Sequence, residues 1–363
     1  MSLGSSTRIL IVGPYWGIEG WTQSTARALK DLGCTTQSFY YNGVSGWENL
    51  RNVKDQLSSV SRLPDGVRNL LTQVALLTMG YRTNARLIRE AKLFRPDIIL
   101  VLKGETLFPD TLRKLKKETR AVLITWWVDN PIRSNERHRW LLFPRCVPLF
   151  DAVFVFDRAY EPLLLELGAK QVNYLPCAAD PHIYRSRNLT DHERSTYSSS
   201  VVMIASYYPK RGAIIRELLE EPGLAVWGGP DWKPFFDSLS EASHRVWRGG
   251  RLSPVFANVA YQAAGIVINV HHAQSKRGGL NMRAFETSAA GVVQLMDYVP
   301  EMEPLLSPGR EVVCFSSQTE VRDLIRELLI DQELRRRIAS AAQERVLDEH
   351  TFFHRMGQVL RTL

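Results

Sequence analysis

The sequence of 363 residues contains no apolar run approaching the ~18 residues that a membrane-spanning helix needs. Its first residues, MSLGSSTR, also lack the basic start, apolar stretch and cleavage site of a signal peptide. We therefore expect a cytoplasmic protein whose contact with a membrane is at most peripheral.

Cysteine is scarce, and the four cysteines lie far apart without any C-x-x-C pair; they are Cys34, Cys146, Cys177 and Cys314. This spacing predicts reduced thiols rather than a disulfide framework or a zinc site. His350 and His354 have the i, i+4 spacing of helical metal ligands. No other ligand is clustered near them, so we expect no metal site.

Acidic residues are outnumbered, since 46 Lys and Arg against 38 Asp and Glu give a formal charge of +8. The basic residues are scattered along the chain, and the short clusters at 113–117 and 335–337 fit solvated helix faces. Because they are not gathered with interleaved aromatic residues, we expect no nucleic-acid partner.

Short apolar segments alternate with longer amphipathic ones, a pattern that predicts an α/β protein with doubly wound parallel sheets. The length exceeds what one hydrophobic core usually serves, so we expect two domains. The predicted strands are 8–13, 34–41, 97–103, 120–128, 151–156, 172–175, 201–205, 224–227, 265–270, 292–295 and 312–315. The predicted helices are 21–32, most of 48–94, 211–221, 281–290, 319–329, 332–347 and 352–363, while 176–200 reads as a loop. Ligands of such sheets bind beyond the carboxyl ends of the strands.

The segment 269–291 carries the strongest chemical signal. A predicted strand leads into a loop with Gly278 and Gly279, which opens a helix near Asn281. Free amides of a first helical turn form an anion site, and glycine lets the backbone approach a ligand. Arg283 and Glu286 are three positions apart and so share a helix face, where they could bind phosphate and ribose hydroxyls. Taken alone, the same pattern also fits an ordinary exposed ion pair.

The sequence GGLNMRAFETSAAG, followed by LMDYVPEMEPLLSPGREVVCFSS, resembles the donor-binding half of GT-B glycosyltransferases. It is most similar to the group typified by the spore-maturation protein CgeB, whose pattern is N-x-R-x-F-E-x-x-A-x-G. Further similarity lies at 206–211, 331–339 and 349–355. The resemblance covers most of 200–357 and is weaker in the first half of the chain.

The resemblance implies a hexosyltransferase-like enzyme that uses a nucleoside-diphosphate sugar, with a UDP sugar favoured, and a separate acceptor hydroxyl. Glu286 would hold the ribose, and the base would stack near Trp227 and Gly228. The implied diphosphate-binding residues are Gly279, Leu280, Asn281 and Arg283, helped by Lys210 or Arg211.

The resemblance also implies the GT-B architecture, in which two Rossmann-like domains face a cleft. Residues 1–178 would form the acceptor-side domain and residues 179–348 the donor domain. The last helix, within 349–363, would pack back on the first domain.

One departure from related retaining enzymes concerns catalysis, because Gly278 stands where many of them have a second glutamate. Another residue must then take any acid role, or none is used. Asp129 follows a predicted strand, and it reads either as a general base for the acceptor or as a turn residue bonded to the backbone. His271 follows another strand, and it reads either as a contact to the donor or as a structural residue.

The turn after the first strand is a second candidate wall of the site. Tyr15, Trp16 and Gly17 lie there and could meet an acceptor sugar or a phosphate, or simply pack the turn. The segment is neither G-x-G-x-x-G nor a Walker A loop.

Sugar transferases of the other main fold hold a divalent ion with an Asp-x-Asp pair, a tripeptide that this sequence lacks. Arginine, lysine and helix amides would then neutralise the leaving group, so we expect neither metal nor cofactor. Two alternatives stay open: a nucleotide-sugar-binding protein without transferase activity, and a nucleotide-sugar 2-epimerase of the same fold.

Overall fold

The structure is a computed structural model that describes residues 7–15, 19–41, 65–104, 106–131 and 137–363. The chain divides into two compact units. The first spans Met1–Phe156, Tyr160–Leu175 and Met356–Leu363, and the second spans Asp157–Ala159 and Pro176–Arg355. No helix in the described ranges is long and apolar enough to cross a bilayer.

Twelve strands are present in the described residues. They are β1 (Arg8–Gly13), β2 (Thr35–Tyr40), β3 (Ile98–Leu102), β4 (Val122–Trp127), β5 (Ala152–Val155), β6 (Val172–Tyr174), β7 (Ser199–Ile204), β8 (Leu224–Trp227), β9 (Trp247–Gly249), β10 (Ala264–Asn269), β11 (Gln294–Asp297) and β12 (Val313–Phe315).

The α-helices of the described residues flank these strands. They are α1 (Trp21–Asp31), α2 (Asp65–Phe94), α3 (Pro109–Thr119), α4 (Arg137–Cys146), α5 (Glu161–Glu166), α6 (Asp191–Tyr197), α7 (Pro209–Glu217), α8 (Lys233–Asp237), α9 (Pro254–Ala263), α10 (Met282–Ala289), α11 (Glu320–Ile330), α12 (Gln332–Glu349) and α13 (Phe352–Thr362). Short 3-10 helices lie at Val147–Leu149, Arg158–Tyr160, Pro230–Trp232 and Glu241–Val246.

Each unit contains one six-stranded parallel sheet. The first has the order β2-β1-β3-β4-β5-β6 and the second the order β12-β11-β10-β7-β8-β9. The strand order reverses between β1 and β3 in the first sheet and between β7 and β10 in the second. At such a switch point the loops beyond the strand ends diverge and leave a crevice for a ligand.

The composition of the central strands explains why these sheets are buried on both faces. All five residues of β3, the sequence IILVL, are buried, and such continuous apolar runs are typical of parallel strands covered by helices. In the second unit the core is closed by Trp232, which is fully buried and donates its indole N–H to the carbonyl oxygen of Ala205, 2.6 Å away.

The predicted α/β class with two doubly wound parallel sheets is confirmed. Every predicted strand is present, with bounds that shift by at most a few residues, and the first part of the predicted 48–94 stretch lies outside the described residues. The prediction of a loop at 176–200 is wrong, because α6 forms there. Thr190 and Glu193 cap its first turn reciprocally, a local signal that the sequence offered.

Candidate functional site

The N-terminal end of α10 lies beyond the carboxyl edge of the second sheet, beside the switch point. Asn281 caps the helix by accepting a hydrogen bond from the Ala284 amide at 3.1 Å. Its side-chain nitrogen donates to Asn269 Oδ1, 2.8 Å away, at the end of β10. Strand end and helix start are thereby held together.

The amides just before this helix are available for a ligand. Gly279 and Leu280 are buried, yet their N–H groups donate to no acceptor within the described part of the chain. Buried amides are rarely left without a partner. Together with the helix dipole they form a site that favours an anion.

Glu286 lies on the next turn of α10 inside a polar cluster. Tyr184 and Arg283 lie close enough to its half-buried carboxylate to stabilise the ionised form. Burial nevertheless raises the pKa of Glu286 to about 7. Arg283 also donates to Asn269 Oδ1, 3.2 Å away, and lies near Tyr261. The structure therefore brings the two predicted helix residues together.

The raised pKa of Glu286 predicts a pH dependence of stability. In mildly acidic solution the folded chain retains a proton on Glu286 that the unfolded chain has lost, so this contribution to stability falls as pH rises towards 7. Unfolding by urea from about pH 5 to about pH 8 measures it. We expect the free energy of unfolding of the wild type, relative to Glu286→Gln, to decrease as pH rises. A difference between the two proteins that does not vary with pH would contradict this assignment.

Lys210 and His271 meet at a carboxylate that the sequence analysis did not single out. Asp297, the last residue of β11, lies 2.6 Å from Lys210 Nζ and 2.9 Å from His271 Nδ1. Burial opposes ionisation, but the bonds from His271 and Lys210 lower the pKa of Asp297 below its usual range. His271 is 2% exposed, and its Nε2 has no partner in the residues that the structure describes. Lys210 remains half-exposed.

Arg211 is engaged with the backbone in this structure. Its Nε and Nη2 donate to the carbonyl oxygen of Val270 at 2.9 and 2.8 Å, and its Nη1 donates to that of Ser206 at 2.8 Å. The guanidinium therefore ties the loop after β7 to the end of β10 across the switch point. Burial, with a smaller contribution from Arg283, lowers the pKa of Arg211 to about 9.

Trp227 and Gly228, predicted near the base, end β8. The Trp227 ring is half-buried and lies 5.5 Å from the ring of Tyr197, which in turn stacks on Phe256. Gly228 contacts Trp232 so closely that a Cβ atom would lie 2.3 Å from its ring. The geometry gives Gly228 a packing role beside its predicted one.

The predicted residues of the first unit are only partly described. The carboxylate of Asp129, just after β4, forms an ion pair with the buried ammonium of Lys103 at the end of β3. Tyr15 packs edge-on against Tyr40, with ring centroids 5.2 Å apart. Trp16 and Gly17 lie outside the described residues.

Several residues around these loops were missed by sequence reasoning. They are Lys103, Asp157, Tyr184, Tyr261, Asn269 and Asp297. Asp157 and Asp297 carry the same signal that drew attention to Asp129, a carboxylate at the end of an apolar strand. The two tyrosines carry no local signal, because their roles arise only when distant segments pack together.

Comparison with known proteins identifies the fold. Residues 211–361 match the family model described as glycosyl transferase-like. HepE of Anabaena, solved with UDP and glucose, is 13% identical with a TM-score of 0.62, over 98% of this chain and 100% of that chain. No curated protein sequence matches this chain.

Two synthases show the same likeness. Sucrose-phosphate synthase of Thermosynechococcus elongatus is 12% identical with a TM-score of 0.66, over 98% of each chain. The UDP-forming trehalose-phosphate synthase of Burkholderia vietnamiensis is 14% identical with a TM-score of 0.63, over 98% of this chain and 100% of that chain. The chain has the GT-B fold, as predicted.

Proposed function

We propose that this protein is a glycosyltransferase that moves a hexose from a UDP sugar to an acceptor hydroxyl without a metal ion. The observation that carries the proposal is the start of α10. There two buried amides, which have no acceptor among the described residues, precede a helix that presents Arg283 and Glu286. Amides and arginine suit a diphosphate, and a carboxylate suits the two hydroxyls of a ribose.

The distribution of charge supports a role for these residues in donor binding. Lys210 lies beside the loop and keeps half of its side chain exposed, so its ammonium can reach a phosphate while its Asp297 partner stays buried. The amides of Gly279, Leu280 and Asn281 would bind the diphosphate together with Arg283 and Lys210. Positive charge supplied in this way stabilises a leaving nucleotide without an ion.

His271 is proposed to contact the donor through Nε2. Its backbone amide and its Nδ1 both bond to Asp297 Oδ1, at 2.7 and 2.9 Å, which fixes the orientation of the ring. The ring nitrogen Nε2 is then the one left for a ligand. For Asp129 we favour positioning of the acceptor over general-base catalysis, because its carboxylate is already engaged in an ion pair with Lys103.

Two further observations agree with a UDP donor and with the CgeB-like group. HepE was crystallised with UDP and with UDP-glucose, and the trehalose-phosphate synthase is described as UDP-forming. The motif from Asn281 to Gly291 matches the CgeB-like pattern at each of its fixed positions.

Thermal unfolding with a panel of nucleoside diphosphates and their sugars tests donor binding. We expect UDP and one or more UDP sugars to stabilise the protein, by about 2.7 kcal/mol at 100 times the dissociation constant. UDP release that needs an added acceptor and continues in EDTA would establish metal-independent transfer. Absence of stabilisation by every compound would refute the proposal.

One observation favours a second function, the binding of a sugar nucleotide without transfer. Gly278 stands where many retaining relatives have a glutamate. A protein that binds a UDP sugar but releases no UDP with any acceptor would be a binding protein without transferase activity. Interconversion of the bound sugar without an acceptor would instead identify a 2-epimerase.

A further inference from the structure

Asp157 is a carboxylate with no exposed surface that lies against the loop preceding α10. It follows β5, and the three residues Asp157–Ala159 belong to the second unit although their neighbours in sequence belong to the first. Its Oδ2 accepts hydrogen bonds from the amides of Lys276 at 2.5 Å and Arg277 at 3.0 Å. Its Oδ1 accepts from the amides of Ala159 at 2.8 Å and Arg277 at 3.2 Å.

The loop is shaped to receive this carboxylate. A Cβ atom on Gly279 would lie 2.1 Å from Asp157 Oδ2 and 2.7 Å from its Cβ. Those distances are far below van der Waals contact, so a side chain at 279 and the carboxylate at 157 exclude each other. The second glycine of the pair is therefore explained by its contact with Asp157.

A second contact holds the other side of the loop. The Gly278 amide donates to the carbonyl oxygen of Pro300 at 2.7 Å, and Gly278 has the left-handed φ of +69° that glycine adopts readily. Arg277 and Glu301 add an ion pair of 2.7 Å, but both side chains are about half exposed. Exposed ion pairs of this kind contribute little to stability. The buried Asp157 carboxylate therefore contributes more to holding the loop in place.

We propose that Asp157 is the positioning residue of the donor-phosphate loop, an internal anion that holds the amides of residues 276 and 277. With those two amides turned towards Asp157 and that of Gly278 bonded to Pro300, the amides of residues 279–281 are the ones left for the donor among the described residues of this loop. The inference rests on the proposed function, since it assumes that these amides bind the diphosphate. Asp157 is not a catalytic residue, because both of its oxygens are occupied and it has no exposed surface.

Asp157→Asn tests the proposal, because asparagine keeps the shape but turns an NH2 donor towards amide donors. We expect the dissociation constant for UDP, measured by isothermal titration calorimetry, to rise about tenfold or more. Binding of uridine, which has no phosphate, should change much less. Glu301→Gln is the matched control, since it removes the exposed ion pair of the same loop and should leave UDP affinity within about twofold.

Three results would overturn the inference. One is unchanged or tighter UDP binding by folded Asp157→Asn, as expected if the carboxylate merely occupied a phosphate position. Another is an equal loss of uridine and UDP affinity, which would indicate general damage. The third is a loss of UDP affinity in Glu301→Gln as large as that in Asp157→Asn. A wild type that fails to bind UDP would instead refute the proposed function.

A second pair of variants keeps the test decisive if Asp157→Asn does not fold. Gly279→Ala places its Cβ against the carboxylate and should lower the thermal stability of the protein and weaken UDP binding. Asp157→Gly in the same chain removes the clash and should restore part of the lost thermal stability. If the double variant is no more stable than Gly279→Ala, the contact between 157 and 279 does not determine the loop.

Discussion

Glu286→Gln is expected to weaken the binding of UDP and of its sugar by about 10- to 100-fold. A carboxylate that accepts hydrogen bonds from two ribose hydroxyls contributes through charge, and each charged hydrogen bond is worth about 1.5–3 kcal/mol. Glutamine fills the same space next to Tyr184 and Arg283, but it accepts more weakly and leaves the arginine without its counter-charge. Titration calorimetry with UDP measures the loss directly.

The control for Glu286→Gln is the same substitution at a glutamate that lies away from the site. Glu327 is exposed on α11 in the same unit, so Glu327→Gln removes an equal charge and should leave the affinity unchanged. Nucleotide binding by Glu286→Gln that equals the wild type would rule out the ribose assignment. A similar loss in Glu327→Gln would attribute the effect to net charge instead.

Gly228→Ala is expected to lower the free energy of unfolding by about 1–3 kcal/mol or more. The added methyl group would lie 2.4 Å from the carbonyl oxygen of Ala205 and 2.3 Å from the ring of Trp232. It would therefore separate the indole N–H of Trp232 from its 2.6 Å acceptor in the middle of the core. Urea unfolding followed by tryptophan fluorescence measures the change.

Gly250→Ala is the control for this steric argument. Apart from its neighbours in the chain, no described residue has an atom within 4 Å of a Cβ at Gly250, and alanine lowers the conformational entropy of the unfolded chain. Its stability should therefore equal or slightly exceed that of the wild type. Equal unfolding midpoints for Gly228→Ala and Gly250→Ala would show that the core tolerates the methyl group.

The parts of the fold that local patterns determine were predictable. Continuous apolar strands such as β3 predict a buried parallel sheet. The loop before α10 and the start of that helix are contiguous in sequence, so their glycines, helix cap and charged pair could be recognised together. Several helices were missed. The amphipathic helix α3 is one of them, while others lack a strong periodic signal. The short helix α8 and the half-exposed start of α9 belong to this group.

The partners of the site residues were not predictable, because they come from distant segments. Asp297 determines the surroundings of both Lys210 and His271, and a single sequence does not show which carboxylate will meet which histidine. The family resemblance implied Lys210 or Arg211 as a helper at the diphosphate, without showing what else Arg211 would contact. The backbone carbonyls that engage it belong to other loops.

The anchoring of the loop by Asp157 also has a consequence for the order of folding. The two hydrogen-bonded residues Asp157 and Lys276 are 119 positions apart. Closing so long a loop costs chain entropy before the hydrogen bond can stabilise the structure. The amides of Lys276 and Arg277 should therefore become protected from hydrogen exchange late, after the strands of the second sheet have paired. On the ribosome, Asp157 is made 119 residues before Lys276, so the loop can reach its working shape only after that second segment has been made.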